Sequence, residues 1–145
     1  MTKLMSACGV MCSECPAYHG AAKGVAHQRQ TVEAWLRIYG LSETPEHISC
    51  GGCLSSDADV FHTSVRCKAR RCCRDKAFSS CAECPKQACD ILEEAQCLWD
   101  SVPAIGSALS PADFKKYARP YCDHRARLAT VRASQHGGPL SGGAS

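Results

Sequence analysis

Three Cys-x-x-Cys pairs, Cys12/Cys15, Cys50/Cys53 and Cys81/Cys84, are the side chains in this sequence best equipped for chemistry. Two residues between thiols let one short turn present both sulfurs to a tetrahedral ion. A lone pair of this kind also serves redox motifs. Three pairs in 145 residues point to metal, and any two of them could complete a Cys₄ site. Each pair has neighbours that could extend it. Cys8 lies four residues before Cys12, Cys89 lies five after Cys84, and Cys67 and Cys72 make a looser pair. The expected cofactor is zinc, one or two ions in a structural role. Iron–sulfur clusters use the same ligands, and they imply electron transfer or redox sensing as the alternative. The compact Cys-x₂-Cys-x₂-Cys-x₃-Cys-Pro run of bacterial ferredoxins is absent, and Cys84-Pro85 echoes only its end. Spacing does not decide how the thiols divide between ions. Cys73, Cys97 and Cys122 are read as buried thiols, since Cys73 abuts Cys72 and Cys97 falls among apolar helix positions.

Other chemistries find less support. A thiol-exchange role would centre on Cys12/Cys15, next to Pro16. Of the six histidines, His19 lies four beyond Cys15, His62 five before Cys67 and His124 two after Cys122, and each is read as an ordinary surface or loop residue. No Ser-His-Asp pattern, phosphate-binding glycine loop or His-Glu-x-x-His helix is present, so an enzyme is not the expected reading. The net charge of +3 is too small to imply nucleic acid. Arg66, Lys68, Arg70, Arg71, Arg74 and Lys76 nevertheless stand against a single Asp75, and such a run could contact phosphates. The favoured account is that these cations offset thiolate charge. The expected function is a binding or accessory module with an unknown protein or small-molecule partner.

The composition explains why cross-links would be needed. The apolar fraction is 45%, but it counts thirteen cysteines; without them it falls to about 36%, with only three Phe, two Trp and four Tyr. That is a thin core for this length, and bound metal contributes folding free energy directly. Met1 to Cys8 carries no apolar stretch of signal-peptide length, and no segment is long and apolar enough for a bilayer. The expectation is a cytoplasmic protein with no membrane association, in which disulfides do not persist.

The elements that must position these thiols are helical. Val25, Val32, Trp35, Leu36 and Tyr39 recur at intervals of three and four, which predicts an amphipathic helix over 27–39 ending at Gly40. Gly51 and Gly52 suit a tight turn whose amides point at metal-bound sulfur. Residues 65–78 form a basic helical stretch. Residues 86–99 form another, with Ala88, Ile91, Leu92, Ala95 and Leu98 on one side and Asp90, Glu93 and Glu94 on the other. Ser110-Pro111-Ala112-Asp113 is a helix start with a serine cap, and Pro120 divides that helical segment before 125–133 resumes it. The fold class is mainly α: one small cysteine-rich domain over 4–134, helices connected by metal-binding knuckle loops, and a helical extension from about residue 100. Residues 135–145, rich in Gly and Ser, read as a disordered tail.

The run Cys8-Gly9-Val10-Met11-Cys12-Ser13-Glu14-Cys15-Pro16-Ala17-Tyr18, the helix holding Trp35, Tyr39 and Gly40, and Cys50-Gly51-Gly52-Cys53-Leu54 together resemble the bacterial and archaeal family called domain of unknown function 3795. Cys67-Lys68-Ala69-Arg70-Arg71-Cys72 resembles the family's next pair, and Cys81-Ala82-Glu83-Cys84 with Cys89 resembles its final knuckle, so the likeness spans about residues 4–99. The resemblance implies a small zinc-binding protein without an assigned reaction. It marks Cys8, Cys12, Cys15, Cys50, Cys53, Cys67, Cys72, Cys81, Cys84 and Cys89 as the pattern thiols. Gln87-Ala88 departs from the aromatic and proline that the family often places before its last cysteine.

Overall fold

Glycine and serine punctuation sets the helix ends. The computed structural model describes residues 4–86 and 89–137. It contains seven α-helices among those residues: α1 (Gly20–Lys23), α2 (Val25–Tyr39), α3 (Lys68–Lys76), α4 (Asp90–Cys97), α5 (Val102–Gly106), α6 (Pro111–Tyr117) and α7 (His124–Arg132). Short 3₁₀ turns carry the links, including Cys12–Glu14 and Cys81–Glu83 within two of the knuckles. No strand forms among the described residues. One isolated parallel bridge joins Tyr18 to Cys50.

The predicted helix over 27–39 is α2, and Gly40 ends it in the left-handed conformation at φ 69°. Its buried face is not the expected one. Gln28, Thr31, Ala34 and Trp35 point inward, while Val25 and Leu36 are more than half exposed. The basic stretch 65–78 is shorter as an α-helix than its composition suggests. A 3₁₀ turn, His62–Arg66, precedes it, Cys67 is extended, and α3 closes at Ala77 with φ 57°. Among the described residues of the stretch 86–99 the helix begins at Asp90, with Asp90 and Glu93 in the first turn near the positive helix end. Gln87 and Ala88 lie outside the described residues. Ser110 caps α6 through the amide of Asp113, and Pro120 sits in a 3₁₀ turn that separates α6 from α7. A π-helical turn, Ala133–Gly137, follows α7; the rest of the predicted tail, from 138 onward, lies outside the described residues.

The core is as thin as the composition implies. Its main cluster joins five alanines and four buried cysteines to only four larger side chains, Val10, Val102, Tyr121 and Leu128, and a second cluster gathers Trp35, Ile48 and Tyr117. The largest fully buried side chain is that of Arg70. Little apolar area is available to offset the conformational entropy of folding. Hydrogen bonds to loop carbonyls carry much of the organisation instead.

Candidate metal centre

The three cysteine-bearing loops are stitched to one another through the backbone. His19 donates its amide to the carbonyl of Cys50 (2.9 Å), joining the first and second knuckles. Cys81 donates to the carbonyl of Ala7 (3.0 Å), joining the first and third, and Met11 donates to Pro120 (2.9 Å), tying the first knuckle to the C-terminal helices. Gly9 makes one of the close approaches between these segments. Its φ is +108°, and a Cβ there would collide with the carbonyl oxygen of His124.

An arginine fixes each loop. Arg70 donates from Nε to the carbonyl of Cys53 (2.6 Å) and from a terminal nitrogen to that of Ser55 (2.6 Å), and it pairs with Asp57 at 2.9 Å. Arg127 donates to the carbonyl of Gly9 (2.7 Å). Arg132 reaches the carbonyls of Cys81 (2.9 Å), Cys84 (2.9 Å) and Lys86 (2.7 Å). The guanidinium presents several donors in a fixed fork, which suits it to clamp a turn with several unpaired carbonyls.

With the loops held this way, Cys8, Cys12, Cys15, Cys50, Cys53 and Cys67 line one half-open cavity of about 700 Å³. Cys72, Cys81, Cys84 and Cys89 do not line it. Cys81 is buried, with its sulfur 3.7 Å from that of Cys73. Of the three cysteines read as buried bystanders, Cys73 and Cys122 are buried, whereas Cys97 is exposed on the outer face of α4. His124 is not a surface residue: it is buried, with Nε2 2.8 Å from the carbonyl oxygen of Gln96.

Hydrogen-bond donors converge on the cavity sulfurs. The amide of Gly52, at φ +107°, donates to Sγ of Cys50 (3.4 Å), as the two glycines of that knuckle predict. The amides of Val10, Cys53, Ala17 and Ala7 face the thiols of Cys8, Cys12, Cys15 and Cys53 respectively. The hydroxyl of Tyr121 lies 2.9 Å from Sγ of Cys15, that of Ser6 lies 3.3 Å from Sγ of Cys8, and the Trp99 indole also faces Cys8. Tyr121 and Trp99 stack with ring centroids 4.9 Å apart. Such donors stabilise thiolate more than thiol.

Without metal, burial wins over these donors. It pushes the Cys53 thiol up to about 12, and proximity to Cys8 and Cys67 adds to the rise. Burial is also the leading cause of the rise at Cys8, Cys12 and Cys15, and neighbouring thiols reinforce it: Cys67 at Cys8, Cys53 at Cys12, and Cys50 at Cys15. Metal-free, these four groups are protonated at neutral pH. A bound cation would displace the protons and use the donors already in place.

The spacing of the sulfurs bears on which cation fits. Two groups of three ligand atoms within 4.8 Å of one another occur among the described residues, Glu43/His47/His62 and Glu93/Cys97/Asp100. Neither contains a cavity thiol. Around a single zinc with Zn–S near 2.3 Å, tetrahedral sulfurs stand about 3.8 Å apart. No three of the cavity sulfurs are that close. Trp35, on the same cavity wall, has a buried indole Nε1 with no hydrogen-bond partner.

The basic run is partly spent inside the protein. Arg70 is buried, and Arg74 reaches Ser55 and Asp57. Lys68 lies 3.8 Å from Glu94 of the acidic helix, while Glu93 pairs with Arg125 instead. Sequence reasoning singled out the thiols but not the aromatic wall of Trp35, Tyr39, Trp99 and Tyr121. Their helical spacing gave them the look of ordinary core residues. No helix of the described residues is long and apolar enough to cross a membrane.

Residues 4–94 match the family described as protein of unknown function (DUF3795), and the chain belongs to that family. No curated protein and no solved structure matches the chain.

Proposed function

We propose that this protein is a metal-thiolate protein whose cavity holds an iron–sulfur cluster, and that it works in electron transfer or redox sensing. One observation carries the reading. Six cysteines face a common cavity, yet no three of their sulfurs are close enough to share a single small ion. A cluster sets its ligand thiolates further apart than one ion does, because its own iron and sulfide atoms fill the centre. Cys12, Cys15, Cys50 and Cys53 are the first candidates to hold it, since Cys12 interacts with each of the other three. Cys8 and Cys67 form the adjoining wall, near Cys53. When bound, such a cluster supplies one-electron redox chemistry.

The chain's own groups have defined tasks in this reading. The amides of Ala7, Ala17, Gly52 and Cys53, with the Tyr121 hydroxyl, spread the thiolate charge. The aromatic wall keeps water from the sulfurs. Leu41 and Leu98, both more than half exposed, lie at the cavity and offer an apolar rim to a protein redox partner.

A structural zinc is the second reading, favoured by the way the Cys12/Cys15 and Cys50/Cys53 knuckles face one another across the Tyr18–Cys50 bridge. It requires the cavity to contract until four sulfurs reach tetrahedral spacing. The run Arg66–Lys76 is read as loop support rather than a nucleic-acid surface, on the ground of the carbonyls and carboxylates that Arg70 and Arg74 already engage. Anaerobic reconstitution of the full chain with iron and sulfide tests the proposal. Wild type and the exposed-thiol control Cys97→Ser should gain the same visible absorbance, and Cys12→Ser and Cys53→Ser should lose most of it. Equal uptake by all four proteins would refute the assignment.

A further inference from the structure

A second set of metal-ligating groups lies outside the thiol cavity. Glu43 follows α2 in the chain, His47 ends the 3₁₀ turn Pro45–His47, and His62 opens the turn His62–Arg66. The loop geometry brings these three together across nineteen residues of sequence. Oε1 of Glu43 is 3.3 Å from Nδ1 of His47 and 2.8 Å from Nε2 of His62, and all three ligand atoms lie within 4.8 Å of one another. With metal–ligand distances near 2.1 Å, neighbouring donors of one ion stand about 3.0 to 3.4 Å apart. The His47 spacing lies within that range and the His62 spacing about 0.2 Å below it.

The three side chains are also held. Glu43 is largely buried, at 12% side-chain exposure, so its carboxylate is already confined. The imidazoles of His47 and His62 stack at 4.1 Å. His62 packs edge-on against Phe61, and Phe61 packs edge-on against the buried Trp35, which anchors the site to the second core cluster. The outer faces of both histidines are open to solvent, leaving room for water as a further ligand.

We propose that Glu43, His47 and His62 form a binding site for a divalent cation of the zinc class, separate from the thiol cavity. Neutral imidazole and carboxylate are the donors such ions take. The ion would staple the loop after α2 to the segment that supplies Phe61, Thr63 and Ser64 to the cavity wall. Its role is to fix that wall. The inference does not depend on what the thiols hold.

Native mass spectrometry of the full chain titrated with zinc tests it, comparing wild type with the His47→Ala/His62→Ala double variant. Both histidines are exposed enough for the variant to fold, and the thiols are untouched. Wild type should bind one zinc more than the variant. Glu43→Gln should keep the fold and weaken that additional binding by about tenfold or more. Imidazole nitrogen NMR provides the second readout: Nδ1 of His47 and Nε2 of His62 should shift together on zinc addition and return when a chelator removes the zinc. Identical zinc stoichiometry in the two proteins, or shifts confined to other histidines, would overturn the site.

Discussion

The Tyr121 hydroxyl lies 2.9 Å from Sγ of Cys15, a residue 106 positions earlier in the chain. Cys15 belongs to the family-matched segment, which ends at residue 94, and Tyr121 lies beyond it. The C-terminal helices are therefore part of the site. They supply the Tyr121–Trp99 stack, Gln96, which donates to the carbonyl of Cys8 (3.0 Å), and the clamps of Arg127 and Arg132.

Tyr121→Phe keeps the ring and its stack while removing one hydrogen bond to sulfur. The expected loss of stability is about 1 kcal/mol in chemical denaturation. With the proposed cluster bound, the larger effect would be on redox behaviour. A hydrogen bond to a ligand sulfur favours the reduced, more negative cluster, so the variant should have a lower reduction potential than wild type in a redox titration. An unchanged potential would mean that Cys15 is not a ligand.

Arg70→Leu removes the clamp on the second knuckle, leaves the Cys53 carbonyl without its arginine donor and leaves that of Ser55 with Arg74 alone. Asp57 is mostly exposed and stays hydrated, so the cost lies in the charge-assisted hydrogen bonds lost at the loop carbonyls, about 2 kcal/mol. That is a large share of the stability of a small domain. The variant should show a matching drop in denaturation midpoint and reduced metal content after purification. Arg71→Leu, at an exposed position of α3, should change stability by no more than about 0.5 kcal/mol.

Gly9→Ala should be among the most damaging single changes. The added methyl runs into the His124 carbonyl, and the backbone there has a positive φ. The first knuckle must then move away from α7, at a cost of about 2 kcal/mol or more. Thermal denaturation would detect this, and a melting temperature equal to that of wild type would contradict the packing described.

The metal-free protein should lose stability in alkali. The Cys53 thiol titrates near 9.0 when unfolded and is raised to about 12 in the fold, chiefly by burial. The unfolded chain therefore releases its proton first as pH rises. Stability is fully present below about pH 9 and falls through the window up to about pH 12, by about 1.4 kcal/mol per pH unit for each such thiol. Urea denaturation of the chelator-treated protein across that range measures the slope. Metal-loaded protein should be flat over the same window, because its thiolates are already formed.

Much of this was legible from residue types. The three knuckles, the Gly40 helix end, the Ser110 cap and the break at Pro120 follow from local chemistry, which acts over a few residues. The register of α2 was less accessible. Gln28 turns inward to a partner there, the carbonyl of Ile48, and Thr31 can be buried because its hydroxyl is satisfied within the helix by the carbonyl of His27, while Leu36 is left outside. Hydrophobic periodicity cannot anticipate buried hydrogen bonds. Cys97 departs from its expected burial for a related reason: its helix starts at Asp90 and turns that face outward. The resemblance grouped ten thiols, and six of them share the cavity. Spacing along the chain fixes which sulfurs can be neighbours in a knuckle, but it says nothing about the distance between knuckles, and that distance separates a cluster from a single ion.

The most direct measurement is the metal and acid-labile sulfide content of the full chain purified without oxygen. The account predicts iron with a matching amount of sulfide, broad visible absorbance that bleaches on reduction, and loss of both in Cys12→Ser and Cys53→Ser. One stoichiometric zinc at those cysteines with no sulfide, or a folded metal-free protein with all thirteen thiols free, would contradict it.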